Sequence, residues 1–512
     1  MANGTWSLEW TWGDAQGWTD VQAPQWSERA ALFGRAGDQT RSVDLEVRPI
    51  LPRTIGSHAA LFPPWSATAT LSRDGVPVIS GQWSAVQYDD STVTLTLTDS
   101  ALDDAALVPS DGTIYVRDQD RYNQLLEIKA TWGVAAKFLT YRLLTAASRR
   151  AVGLLGPMVF GSPGTALNPG SQAWIVDQTS PDKKLLIARH TVSAQNVTIW
   201  GPGYDEVAAG DADVYISLTF PVLSGLDADG QTYSYIELPT PTPGAGDIAP
   251  SNSHDFYVSW TDGEGLSGGA GDVCLTLLAQ STLRVDVAAW VRVRDSLNRY
   301  RLAGYVTEAV APSALLYESI LPVLPVQVVY TADGVAPLLW PWLDQQDAPT
   351  EVELVAGRGI ALAGRVSYLA DVPTTSLELG YGPDPQNGQR MTAAASITPE
   401  TSPYMRAAAS LVGPRGRQES LECGWLWDDA TASELAALRA RLGARPMRAV
   451  PYMADPTRYG PGGAEYLQVG VPVSLTDDRL GLDAVPAVVG EIETDADTMR
   501  LTLYLRDDIL RD

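Results

Sequence analysis

Leu411-Val412-Gly413-Pro414-Arg415-Gly416 opens a stretch that passes through Cys423-Gly424-Trp425-Leu426-Trp427 and Val469-Gly470-Val471-Pro472-Val473-Ser474-Leu475-Thr476-Asp477, and closes on Thr498-Met499-Arg500-Leu501-Thr502-Leu503-Tyr504-Leu505. Its order decides how the chain is read: strands, one helix, then a strand, a turn and a terminal β pair. Thr431 and Glu434 form a T-x-x-E pattern, in which two side chains satisfy free N–H groups at a helix start. Leu435, Leu438 and Leu442 recur at helical spacing, and Gly443 ends the run. Arg479-Leu480-Gly481-Leu482 supplies the turn, and Val485 to Glu491 is the penultimate strand.

Upstream, the same β character prevails. Five of the 16 Trp lie in the first 26 residues, and Trp6, Trp10 and Trp12 share parity. On a strand they line one face, which an intersubunit contact or a core must cover. Asp44 to Pro49, Trp65 to Leu71, Val78 to Val86 and Val93 to Thr98 alternate as strands, with a hairpin turn at Asp74-Gly75. Residues 1–108 therefore read as an N-terminal β-domain, a barrel or sandwich, and 109–149 as a connecting segment with helical character at Gln124 to Ile128 and Lys137 to Ser148. Residues 150–222 form a Gly/Pro-bounded β unit. Residues 223–262 add a β segment and the stiff linker Pro239-Thr240-Pro241-Thr242-Pro243. In 263–350 a small α+β unit is expected: helices at Ala270 to Ala279, at Val285 to Leu297 with Val287, Val291 and Trp290 inward, and at a Ser313-capped run to Leu321, followed by a hairpin around Asp333-Gly334. Residues 351–512 read as C-terminal β-domains with one capped helix. The fold class is mainly β and multidomain.

Composition narrows the function. A chain of 512 residues exceeds one core, and 45% hydrophobic with 19% charged residues suits a globular protein. The formal charge is −25, from 36 basic and 61 acidic side chains, which disfavours free binding to nucleic acid or anionic membrane. Cys274 and Cys423 are too few for a disulfide framework or an iron–sulfur site, and read as buried apolar side chains. No positive charge precedes Arg29 and no apolar run reaches the ~18 residues of a membrane helix, so neither a signal peptide nor membrane insertion is expected.

Two enzyme-like strings overlap in one loop. Gly263-Glu264-Gly265-Leu266-Ser267-Gly268 matches the dinucleotide pattern, but no βαβ repeat surrounds it, and Glu264 with Asp262 would repel a pyrophosphate. Gly265-Leu266-Ser267-Gly268-Gly269 matches the nucleophile elbow, yet His58, His190 and His254 all precede Ser267, so the Ser…Asp…His order is impossible. A glycine-rich connection is the reading that remains. The adjacent acids, Asp89-Asp90, Asp103-Asp104, Asp428-Asp429, Asp477-Asp478 and Asp507-Asp508, point to opposite faces on a strand and cannot present two carboxylates to one sugar. Asp227-Ala228-Asp229-Gly230 lacks the downstream Glu of a calcium loop and reads as a hairpin turn. The 16 Trp against six Phe fit domain and subunit contacts better than sugar stacking. No catalytic, cofactor-binding or metal-ligating residue is assigned, and no enzyme activity is expected.

The helix flanked by strands and the Gly470-Val471-Pro472-Val473-Ser474-Leu475-Thr476-Asp477 ending resemble the C-terminal half of phage tail hub and tail-tip (baseplate hub) proteins of siphophage-like tails. Pro157-Met158-Val159-Phe160-Gly161, followed by short strands, is similar to the β-domain inserted in many of them, and Val285-Asp286 and Ser410-Leu411-Val412-Gly413-Pro414-Arg415 match looser motifs. The resemblance implies two barrel-like β-domains per chain, a small α+β domain and an inserted β-domain. It implies a homotrimer forming a pseudo-hexameric ring between the distal tail protein and the tip or fibre proteins, assembled in the host cytoplasm and located in the virion. The ring would carry a channel for the tape measure protein and then genomic DNA, which passes without specific binding. The channel wall is expected to be acidic, from strands of the first β-domain and of 351–400. The alternative is a carbohydrate- or receptor-binding tail module, or behind it a glycan hydrolase.

Overall fold

The computed structural model describes residues 5–13, 15–31, 40–47, 67–88, 93–99, 113–116, 140–143, 157–177, 183–211, 214–226, 232–250, 255–307, 310–331, 333–340, 352–368, 374–384, 388–396, 417–443, 447–496 and 498–505. Six antiparallel strands come first: β1 (Trp6–Trp12), β2 (Ala15–Ala31), β3 (Thr40–Val47), β4 (Thr68–Arg73), β5 (Val76–Tyr88) and β6 (Val93–Asp99). They pair in the circuit β1-β4-β5-β6-β3-β2 and back to β1, which closes a barrel. Alternation sorts their side chains: Val93, Leu95 and Leu97 point inward while Thr94, Thr96 and Thr98 point outward. Asp74 and Gly75, at φ 51° and 81°, make the tight β4–β5 turn. The barrel interior covers the Trp-rich face of β1. Leu8 and Trp12 are buried, and Trp10 and Trp12 pack on Trp83 at 5.9 and 5.1 Å. That face therefore needs no subunit contact.

Two short strands, β7 (Thr113–Val116) and β8 (Thr140–Leu143), pair in parallel, so a strand stands where Lys137 to Ser148 suggested a helix. Gln124 to Ile128 lies outside the described residues. After β9 (Met158–Phe160) comes a seven-stranded unit: β10 (Ser171–Asp177), β11 (Lys183–Ala188), β12 (Asn196–Pro202), β13 (Tyr215–Pro221), β14 (Leu223–Leu226), β15 (Thr232–Leu238) and β16 (Phe256–Ser259). Its order is β13-β12-β16-β10-β11-β15-β14, so strands on both sides of residue 222 share one sheet. β10 gives Ser171–Ala173 to β16 and Trp174–Asp177 to β11, which folds the sheet over a core of Ile175, Ile187, Ile199, Ile236 and Val258.

The helical core follows. Helix α1 (Ala270–Ala279) buries Val273, Cys274 and Leu277, and α2 (Val287–Asn298) is capped by Asp286, whose carboxylate accepts from Ala289 N at 2.8 Å. Val287 and Val291 are exposed, contrary to expectation, while Trp290 is buried and its Nε1 donates to Val335 O at 3.1 Å. The buried indole, anchored by its hydrogen bond, sets the helix rotation. β17 (Gly304–Val306) pairs with β9, and Ala311 rather than Ser313 stands at the start of the next helix, with Pro312 at its first position. β18 (Val326–Thr331) and β19 (Gly334–Leu339) form the expected hairpin.

Next come β20 (Val352–Val355), β21 (Ile360–Leu362) and β22 (Ser367–Tyr368), then β23 (Thr374–Tyr381), β24 (Met391–Ser396), β25 (Arg417–Cys423) and helix α3 (Asp429–Gly443). The order β24-β23-β25 places a small sheet under α3, and both join the core of α1 and α2 through Leu377, Leu379, Trp425, Leu435 and Ala436. Thr431 and Glu434 do not form the capping box. Asp428 is the cap, accepting from Thr431 N at 2.7 Å, which frees Thr431 Oγ1 to accept from Arg301 N at 3.0 Å and Glu434 to pair with Arg299. The two residues dock the helix instead of starting it. Burial pushes the Cys274 and Cys423 thiols up to about 12 and about 11, so both stay protonated apolar fillers.

The last strands are β26 (Arg448–Ala454), β27 (Pro472–Asp477), β28 (Leu482–Ala496) and β29 (Thr498–Leu505). Their order is β20-β27-β28-β29-β26-β21. A tight turn joins β20 to β21, with Gly357 N donating to Ile360 O at 2.8 Å, and so brings the two ends of the sheet together. In the Thr476-Asp477 turn, Asp477 is 1% exposed and accepts from Tyr452 Oη, Arg479 N, Arg479 Nε and Arg479 Nη2 at 3.0–3.1 Å. Gly481, at φ 66°, completes the turn. The chain is a multidomain, mainly β protein.

Candidate functional site

Strands β2 and β28 are too long for one sheet each, and their surplus joins the first barrel to the C-terminal sheet, whose curvature makes it barrel-like and the second barrel of the chain. Ala15–Val21 of β2 pairs with β1 and Trp26–Ala31 with Glu491–Ala496 of β28; the other end of β28 pairs with β27. One sheet thus crosses from the first barrel to the last by main-chain hydrogen bonds. On its inner side, Trp6 lies 6.1 Å from Trp26, Arg41 stacks over both Trp26 and Tyr466, and Arg73 covers Trp6 while donating to Gly462 O. Aromatic rings from the first barrel therefore fill the seam against the 456–470 loop of the second.

The opposite face follows from register alone. Asp44 faces Gln25, Ser27 faces Asp495, Arg29 faces Glu493, and Glu493 faces Arg500 in turn, so these side chains share one outward surface. Asp44, Glu46, Glu491, Glu493 and Asp495 are all exposed there, against Arg29 and Arg500. Thr96 Oγ1 donates to Asp44 at 2.6 Å, and Tyr504 Oη to Glu491 at 3.1 Å. Burial, reinforced by Glu491, raises the Tyr504 pKa and keeps its proton in place. The Arg500–Glu493 pair, at 4.0 Å with both side chains more than half exposed, is too solvated to neutralise the face. On this face the acids of the C-terminal sheet come from β28.

The glycine-rich loop takes a different role. Gly265 N donates to Gly161 O, Leu266 N to Val159 O, Leu302 N to Gly268 O and Ala270 N to Tyr300 O, all at 2.7–3.0 Å. A Cβ on Gly265 would lie 2.3 Å from Val159 O, and one on Gly268 2.7 Å from Leu302 O. The glycines are needed because three backbones meet, and the N–H groups of Glu264, Gly265, Leu266, Gly268 and Gly269 already have acceptors within the protein. Ser267 Oγ donates to Asp272, which pairs with Arg294. His190 is committed elsewhere: its Nε2 accepts from Val159 N at 2.9 Å and its Nδ1 contacts Thr191 O at 3.0 Å. An open cleft of about 250 Å³ lies beside the loop, lined by Trp260, Glu264, Arg301 and Trp427 among others, with Glu264 and Arg301 paired to each other. Every Trp whose side chain the structure describes is buried or half-buried, which leaves little ring face there for sugar stacking.

Asp428 caps α3 and Asp429 accepts from Tyr381 Oη at 2.7 Å, so that acid pair is structural. Asp227 to Gly230 and Ser410 to Arg415 lie outside the described residues. Among the described residues, no group of three or more His, Cys, Asp or Glu is placed to hold a metal ion, and no helix is long and apolar enough to cross a membrane.

No family model matches the sequence, and no curated protein does. Among solved structures, the chain is similar to the tail protein from Neisseria meningitidis MC58, at 9% identity over 98% of this chain and 97% of that one, with a TM-score of 0.40. It is similar to the 43 kDa tail protein of prophage MuSo2 from Shewanella oneidensis, at 12% identity over 98% and 99% of the two chains, with a TM-score of 0.36. A chain of the native gene transfer agent virion aligns at 12% identity over 68% of this chain and 84% of its own, with a TM-score of 0.38. At these identities and TM-scores, the reading of the fold and of its role rests on the chain's own residues.

Proposed function

We propose that this chain is a structural protein of a phage-type tail and acts as its hub. Three copies would form a ring that joins the distal tail protein to the tip or fibre proteins, in the virion. The observation that carries this reading is the seam: two β-barrels in one chain share a continuous sheet through Trp26–Ala31 and Glu491–Ala496, so three copies bring six barrels. A sixfold neighbour above and a threefold one below could both be matched by such a ring. The sequence resemblance supports the same reading, with tape measure protein and then DNA passing through the lumen.

The outward face of the seam sheet has the chemistry such a lumen needs. DNA carries one charge per ~1.7 Å, so a basic wall would hold it and an acidic one lets it slide. Replacing Glu491, Glu493 and Asp495 together by lysine leaves Asp44 and Glu46 against five cations on that face. The assembled variant is expected to bind duplex DNA at least about tenfold more tightly than the wild type near 0.15 M salt, with a steep salt dependence. Fluorescence anisotropy on the ring measures it. A lysine variant that assembles and stays as indifferent to DNA as the wild type would contradict the assignment of this face to the lumen.

A further inference from the structure

The seven-stranded unit of 171–259 meets β9 through the buried Val159 side chain, through Arg189 N, which donates to Pro157 O at 2.9 Å, and through one titratable side chain, His190. We propose that His190 is a protonation-sensitive latch: its neutral ring holds β9 against the seven-stranded unit, and protonation releases that contact. The geometry allows only one neutral form. Val159 N is a donor, so Nε2 must carry a lone pair, and the proton sits on Nδ1, where it is donated to Thr191 O. A proton added at Nε2 would set N–H against N–H at 2.9 Å, and Val159 N–H would lose this acceptor.

The surroundings leave the ring little room to turn away. A Cβ at Gly265 would lie 3.2 Å from His190 Cε1, so the glycine loop packs directly on the imidazole. Ser234 Oγ donates to His190 O and accepts from Val192 N, both at 2.9 Å, which fixes the backbone on either side. Val159 itself pairs with Tyr305 of β17 and hydrogen-bonds Leu266 of the loop, so the latch touches both connections of the unit. The charged and titratable groups around the ring are Arg189 on its own segment, Glu264 in the loop, already paired with Arg301, and Tyr305 opposite Val159. Burial, with Arg189 adding to it, holds the imidazole below its usual pKa. The stabilisation is therefore complete above the ordinary value of about 6.5 and is lost as pH falls through the lower folded value.

The test is hydrogen exchange of the full chain at pH 7.5 and pH 5.0, corrected for intrinsic rates and read in peptides covering 157–162 and 262–268. Wild type is expected to open at least about fivefold more at the lower pH. His190→Gln keeps an acceptor near the Nε2 position without titrating, and should exchange equally at both. A wild type with no pH response in these peptides, or a His190→Gln variant with the same response, would overturn the latch. Should the variant not fold, nuclear magnetic resonance of ring-labelled histidine in the wild type decides. Opening that follows His190 protonation below pH 6.5 supports the latch, and protonation without opening sinks it.

Discussion

Asp477→Ala is expected to cost the C-terminal barrel about 3 kcal/mol and lower the midpoint of its denaturant unfolding accordingly. The carboxylate accepts from Tyr452 Oη and three times from Arg479, yet only Tyr452 matters for the cost. Arg479 is 59% exposed and finds water once released, whereas Tyr452 is 0% exposed and its hydroxyl would be left buried without an acceptor. Tyr452→Phe should therefore cost much less in the Asp477→Ala background than alone. pH gives a second signature. Burial works to raise the Asp477 pKa, but the hydrogen bonds from Arg479 and Tyr452 outweigh it and hold the carboxyl below the usual range. Its contribution is present above the unfolded value of about 3.9 and lost as pH falls through the folded one. Equal midpoints for wild type and Asp477→Ala at pH 7 would contradict this account of the turn.

Trp26→Ala is expected to be as damaging, by about 3–5 kcal/mol, and to act on the seam. Trp26 is 7% exposed, packs on Trp6 and lies under Arg41 at 5.5 Å. It is also the first residue of β2 to pair with β28. Removing the ring opens a cavity between the barrels, so unfolding should split into two transitions and the ring should not assemble. Trp83→Ala serves as the contrast. Trp83 is 1% exposed inside the first barrel, and its loss should weaken that barrel while the last one keeps its own transition. A single, merely shifted transition in Trp26→Ala, with normal assembly, would show that the seam does not depend on this contact.

Much of the β framework was legible because period-2 alternation is a local signal, as in Val93 to Thr98, and turn chemistry such as Asp74-Gly75 is local too. Local rules failed where tertiary partners decided the matter. Thr431 and Glu434 satisfy a capping box in sequence, but Asp428 lies one turn earlier and Arg299 and Arg301 compete for their side chains. Val287 and Val291 have helical spacing, yet Trp290 gained a hydrogen bond to Val335 that sequence spacing cannot show. The acidic face was only partly visible: Asp44 and Glu46 alternate on a clear strand, whereas the penultimate strand was read only from Val485 to Glu491 and runs on to Ala496, past Glu493 and Asp495. That the two sets share one surface depends on pairing between residues over 460 positions apart. No periodicity encodes such a pairing.

The most direct test of the central claim is single-particle imaging of the purified chain, alone and with the distal tail protein, paired with its mass in solution. A ring of three chains is expected, with six barrel densities around a lumen whose wall carries the Glu491–Asp495 face. A chain that stays monomeric at high concentration, and forms no ring with its tail neighbour either, would contradict it.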